Sequence, residues 1–208
     1  AAIALSADGA RVLVGSPGDA FLGLTSPGTA YVFLRDAGGS WARETTLRSA
    51  APGDLDRFGS SVDISATGDR VIVGAQWRSL GAATFVGEAL VYRRAPGPWT
   101  LEATLSAAGA AMFDNQGRGV ALSRDATIAI VGAPAGPFGG GGAGGAHIFM
   151  RDARGWVEGE ALVASDGEAD DAIGMATVLS ADATTVGLGA PFDVTAMGRS
   201  GSARVFSL

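Results

Sequence analysis

At 208 residues, 47% of them hydrophobic, the chain has the length of one ordinary domain or one array of repeats. Its net charge of −6 is spread without a basic block, which excludes nucleic acid as the main partner. The absence of cysteine excludes disulfides and thiolate metal sites, and no apolar run approaches the ~18 residues of a membrane span, so no membrane insertion is expected.

The first predicted pair of strands lies in "AAIALSADGARVLVGSP", beginning at Ala1. The segment "TAYVFLR" at 29–35 follows, and then "WARETTL" at 41–47, which runs from a Trp to a Leu. These four segments, named a, b, c and d, recur. "GSSVDISATGDRVIVGAQ" from Gly59 precedes "EALVYRR" and "WTLEATL"; "GRGVALSRDATIAIVGAP" from Gly117 precedes "AHIFMR" and "WVEGEAL". "GMATVLSADATTVGLGAP" from Gly174 precedes only "SARVFSL". Ser6, Ser65, Ser123 and Ser180 close the a segments, and Gly15, Gly74, Gly132 and Gly189 close the b segments, both sets spaced 59, 58 and 57 apart. Each segment is short, rich in Val, Ile, Leu, Phe or Tyr, and bounded by Gly, Pro, Asp or Ser, while no stretch carries a capped helical period.

A period near 58 made of four strands predicts an all-β fold, a β-propeller of four-stranded antiparallel blades. The repeat units are 1–58, 59–116, 117–173 and 174–208, within one propeller domain spanning 1–208. Strand a is placed innermost, on small side chains, and the Trp-led strand d outermost. The last unit lacks a d strand, so either its blade has three strands or the chain belongs to a longer one. Self-association through open blade edges is a further expectation.

Phe58-Gly59 followed by Val71-Ile72-Val73-Gly74-Ala75 resembles the FG-GAP repeat, the blade type of integrin alpha-subunit propellers and of many bacterial surface proteins. Gly132-Ala133-Pro134 and Gly189-Ala190-Pro191 repeat the second half of that motif. Gln116-Gly117 and Ile173-Gly174 stand where the Phe-Gly pair belongs. The resemblance implies a non-enzymatic, extracellular or cell-surface module for binding or adhesion, with a protein or a surface glycan as partner. The alternatives are a purely structural repeat segment of a larger secreted protein and, ranked below it, a propeller hydrolase or lyase. Integrin-type repeats often carry calcium in the a–b connection. Here each connection offers one acidic side chain, at Asp8, Asp69, Asp125 or Asp182, too few for a hard cation. These residues read as turn formers, and neither a metal nor a cofactor is expected.

The b–c connections are long and divergent, as at 16–28, 75–87, 133–145 and 190–201, and share one face with the d–a connections. Divergent loops on a repeated scaffold are where specificity resides. The candidate contacts on that face are Asp19, Phe21, Trp77, Arg78, Phe138, Asp193 and Arg199, with aromatics folding back onto the blades as the alternative. Asp56, Asp114 and Asp171 recur two residues before the Phe-Gly position. They are assigned to the scaffold with Phe58, Gly59, Gly74, Gly132, Pro134, Gly189 and Pro191, each carboxylate accepting backbone hydrogen bonds at the crossover. The Gly139–Gly142 run lacks the Lys-Ser/Thr of a phosphate loop and reads as a linker. "SDGEADD", with Asp166, Glu168, Asp170 and Asp171, reads as a solvated acidic loop rather than a cation site. His147, the single histidine, reads as structural. Acidic side chains are expected in surface turns and not on the inner strands, so no catalytic constellation assembles.

Overall fold

The computed structural model describes residues 1–138, 142–195 and 198–208, and every regular element among the described residues is a strand. Unit 1 forms a sheet of β1 (Ala2–Leu5), β2 (Arg11–Ser16), β3 (Thr29–Arg35) and β4 (Trp41–Leu47), paired in chain order and antiparallel throughout. Unit 2 repeats it with β5 (Phe58–Ile64), β6 (Arg70–Ala75), β7 (Glu88–Arg94) and β8 (Trp99–Leu105). Unit 3 does so with β9 (Val120–Leu122), β10 (Ile128–Ala133), β11 (Gly145–Asp152) and β12 (Gly155–Leu162). Unit 4 contributes β13 (Ala176–Leu179), β14 (Thr185–Ala190) and β17 (Ser202–Ser207), a three-stranded sheet. Its b–c loop also pairs β15 (Val194–Thr195) with β16 (Gly198–Arg199), a hairpin that the repeat pattern did not announce. The c–d pairing shifts register at the same point in the three complete sheets, beside Val32, Val91 and His147.

Burial along the b strands reports how the sheets sit. β6 and β10 are buried on both faces, whereas β2 and β14 alternate between more and less covered positions. A strand covered on both sides tolerates a continuous apolar run, which is what Val71-Ile72-Val73 and Ile128-Ala129-Ile130-Val131 supply. Three apolar clusters lie between consecutive sheets. Leu13, Val32 and Leu47 meet Phe58, Val73 and Leu90; Ile72 and Val91 meet Val131 and Phe149; Ile130 and Leu162 meet Ile173 and Leu188. The outward faces of the first and fourth sheets are apolar and open, with Ile3 72% and Val205 73% exposed.

The repeated glycines set the distance between units. A Cβ on Gly15, Gly74 or Gly132 would overlap the carbonyl oxygen of Gly59, Gly117 or Gly174, the second residue of the Phe-Gly position in the next unit. Those three glycines in turn have positive φ (90°, 78° and 93°), and a Cβ there would strike the carbonyl of Thr29, Glu88 or Gly145. Both halves of the motif are thus a contact of backbone on backbone that admits no side chain.

The inner strands pack in succession, β1 on β5, β5 on β9 and β9 on β13. Their turns converge: the Ala7 N–H donates to the Ala66 carbonyl (3.1 Å) and the Ala66 N–H to that of Arg124 (2.8 Å). Leu5, Asp63, Leu122 and Leu179, one residue from each unit, line a single cavity of about 240 Å³. One expectation is corrected here, because Asp63 is an acidic side chain on an inner strand. It takes the position held by Ala4, Ala121 and Val178 in the other units. Its carboxylate accepts the Leu122 N–H of the next unit (2.7 Å) and the Ile64 N–H (2.8 Å). Burial pushes its pKa up, against the pull of those two hydrogen bonds.

Candidate ligand-binding face

The b–c loop of each unit lies beside the d–a crossover that leads to the next. Leu55, Arg57 and Phe58 donate their N–H groups to the carbonyls of Thr25, Ser26 and Pro27. Phe113, Asn115 and Gln116 repeat this with Thr84, Phe85 and Val86, and Asp170 and Ile173 with Gly142 and Ala143. To run this way, each crossover holds two residues at positive φ without glycine: Leu55 and Arg57, Phe113 and Asn115, Asp170 and Ala172. At about 1–2 kcal/mol each, such a conformation persists only where surrounding contacts impose it.

The carboxylates assigned to the crossovers are inside them. Asp56, Asp114 and Asp171 are 2%, 5% and 2% exposed, and accept the N–H of Gly53 (2.5 Å), Ala111 (2.7 Å) and Glu168 (2.8 Å), each three residues back. Phe58 is fully buried and meets Tyr92 edge-on. Gln116, also fully buried, stands at the equivalent position; its Oε1 accepts the Ala107 N–H (3.0 Å) and its Nε2 has no hydrogen-bond partner.

On the opposite side, the a–b turns use their acids locally. The Ser6, Ser123 and Ser180 hydroxyls donate to Asp8, Asp125 and Asp182, and each serine Oγ accepts a backbone N–H five residues on. In unit 2, Asp69 sits two residues later and accepts from Ser65 and Thr67 instead. Asp8, Asp125 and Asp182 titrate below the ordinary aspartate range, chiefly through the serine hydroxyls.

Three of the candidate contacts clasp their own loops. Asp19, Arg78 and Asp193 occupy one repeated position, four residues after the glycine that closes strand b. Asp19 accepts from the hydroxyls of Ser16, Thr29 and Tyr31, and the Thr29 bond is the largest cause of its lowered pKa. Arg78 pairs with Asp56 (2.9 Å) and Glu88 (3.6 Å), and burial raises the Glu88 pKa despite that guanidinium. Asp193 accepts from Ser202 and pairs with Arg204 (3.1 Å). In each case a loop residue is tied to the head of strand c by groups of matching character. That signal was present in the sequence as Asp with Thr or Ser and Arg with Glu.

The aromatics divide. Phe21 lies under the Arg48 guanidinium (4.6 Å), and Phe138 folds against His147 (5.0 Å). His147 contacts Glu158 (3.1 Å), and burial lowers its pKa against the pull of that carboxylate. The Arg199 side chain and Gly139–Gly141 lie outside the described residues. In the acidic loop, Asp166 pairs with Arg204 (3.1 Å) while Asp171 turns inward.

Trp77, by contrast, lines a groove. Two cavities of about 300 and 410 Å³ adjoin on this face and share a wall of Asn115, Pro134 and Met175. The first is completed by Arg57, Gln76, Trp77 and Arg118, the second by Ala135, Asp170, Ala172 and Phe192 among others. Asp170 and Gly142 apart, the lining residues come from four repeated positions spread over all four units: immediately before and after the Phe-Gly pair or its equivalent, the residue after Gly-Ala, and the next one. Arg57, Asn115, Arg118 and Met175 were not singled out by sequence because they border motif residues that read as scaffold.

No curated protein matches the chain. Residues 99–149 match the FG-GAP repeat family. The match runs from β8, the outer strand of unit 2, through the a and b strands of unit 3 and into its c strand. It covers the Gly117–Gly132 stretch where the inter-unit backbone contacts recur. The chain therefore carries an FG-GAP repeat, in unit 3 and the strand leading into it.

Proposed function

We propose that the chain is a β-propeller-type, non-catalytic binding module, with its sheets as blades fanned about the cavity shared by the inner strands. It acts outside the cell, on a protein or a surface glycan, through the face that carries the b–c and d–a loops. The observation that carries this reading is the groove. Most of its wall is the same four positions in successive units, filled by Arg57, Asn115 and Ala172, by Arg118 and Met175, by Gln76 and Pro134, and by Trp77, Ala135 and Phe192. A scaffold that holds backbone positions fixed while their side chains diverge suits recognition. The architectural alternative draws support from Asp19, Arg78 and Asp193, whose charges are spent within their own loops.

Arrays of immobilised peptides and of glycans separate the two. The parent chain is expected to be retained on a subset of spots, and Trp77→Ala and Met175→Glu to lose that retention at least tenfold while melting within a few degrees of the parent. Retention of the parent on no spot, or equal retention of both variants, contradicts the binding reading.

A further inference from the structure

The first cavity of the groove is basic although the chain carries a net charge of −6. Arg57 and Arg118 both line it, and no acidic residue does. Two other arginines of this face have partners: Arg78 is neutralised by Asp56 and Glu88, and Arg48 lies on the Phe21 ring within reach of the Asp19 charge. Among the described residues, neither Arg57 nor Arg118 has a carboxylate within 4.0 Å. The Arg57 guanidinium lies 3.9 Å from the Trp77 ring centroid, and its Nε is buried without a hydrogen-bond partner. A guanidinium held over an indole ring has already lost much of its side-chain freedom, and its remaining N–H groups form a fork that matches a carboxylate. The Gln76 and Asn115 amides border the same space.

The adjoining cavity is apolar along Pro134, Met175, Ala172 and Phe192, and Asp170 is the one acidic side chain in its lining. That polarity restricts the ligand. A single negative charge is favoured at the arginine end, and a second one in the adjoining cavity meets the Asp170 carboxylate. A polyanionic glycan, charged at every sugar or every other sugar, meets this repulsion. The Trp77 face that a sugar ring would stack on is already covered by Arg57. An extended peptide with one acidic side chain and an apolar neighbour satisfies both ends.

We propose that this groove binds an extended peptide segment, seating one Asp or Glu carboxylate between Arg57 and Arg118 and an apolar neighbour against Pro134, Met175 and Phe192. The proposal rests on the reading of the loop face as a binding surface. It is tested with pools of acetylated, amidated hexapeptides that carry Leu-Asp, Leu-Asn or Leu-Arg at the centre and randomised flanks, measured by fluorescence anisotropy. On the parent chain the Asp pool is expected to bind at least tenfold more tightly than the Asn pool, and the Arg pool more weakly still. In the double variant Arg57→Gln/Arg118→Gln that preference is expected to vanish, with the melting temperature confirming a folded protein.

Equal binding of the Asp and Asn pools overturns the proposal, as does a preference that survives in the double variant. Tighter binding of polygalacturonate than of any peptide pool overturns the choice of a peptide. Should peptides bind without charge preference but be lost on Trp77→Ala, this inference fails and the binding reading stands. Should nothing bind, here or on the arrays, both fail.

Discussion

Gly74→Ala is expected to destabilise the chain by about 3 kcal/mol or more, whereas Gly189→Ala changes its stability by less than about 1 kcal/mol. Both glycines close a b strand, and the repeat treats them as equivalent. A Cβ at Gly74 would overlap the carbonyl oxygen of Gly117 and the hydroxyl of Ser61. The carbonyl has no room to yield, since the adjacent Gly117 N–H is bonded to the Gly132 carbonyl (2.9 Å) and the Ser61 hydroxyl donates to the Gly117 carbonyl itself (2.7 Å). Accommodating the methyl therefore means moving unit 3 away from unit 2 and opening the cluster of Ile72, Val91, Val131 and Phe149. At Gly189 a Cβ meets only Ala176, at 3.4 Å, an ordinary van der Waals distance. Thermal unfolding reads the contrast directly, because about 3 kcal/mol in a chain of this size corresponds to a fall of roughly 6 °C or more. Equal effects at the two positions contradict the inter-unit contact as the reason for the Gly-Ala-Pro motif.

The second large effect is expected at Asp56. Asp56→Ala removes the acceptor of the Gly53 N–H and also leaves the Arg78 guanidinium, mostly buried, with only the more distant Glu88. Breaking one side of a buried ion pair costs about 3–5 kcal/mol. Asp114→Ala removes the corresponding backbone acceptor, but its carboxylate has no arginine partner among the described residues, so the expected loss is about 1–3 kcal/mol. Urea denaturation of the two variants separates the cost of the crossover hydrogen bond from that of the ion pair. If the two losses coincide, Arg78 contributes nothing through Asp56.

Much of the fold was legible because its constraints are periodic. Trp-to-Leu outer strands, serine-closed inner strands and glycines at fixed spacing recur, and each recurrence marks a place where geometry allows one kind of residue. Asp56, Asp114 and Asp171 were readable for the same reason, since a turn that needs a buried acceptor needs it in every unit. What escaped was whatever a single unit does differently. Asp63 is an acid among small apolar equivalents because it reaches the Leu122 N–H of the next unit, a contact that is invisible until two sheets are side by side. The clasps at Asp19, Arg78 and Asp193 escaped because exposed-looking charges in long loops read as free, while their partners at Thr29, Glu88 and Ser202 are more than eight residues away in sequence. The groove was hidden by the opposite error. Arg57 and Arg118 flank the Phe-Gly position, and only the positive φ of Arg57 and its stacking on Trp77 show that the residue beside a scaffold motif belongs to the surface.

These readings depend on the four units converging at their a–b turns, so that loops from successive units share one face. Because the chain contains no native cysteine, spin labels can be attached at will through Ala7→Cys and Ala181→Cys, two exposed turn positions in units 1 and 4 that line the same cavity. Dipolar spectroscopy between them is expected to give a distance well under about 30 Å, the separation that three successive sheet-to-sheet steps of about 10 Å would impose on a linear stack. A distribution centred at or beyond about 30 Å contradicts the convergent arrangement.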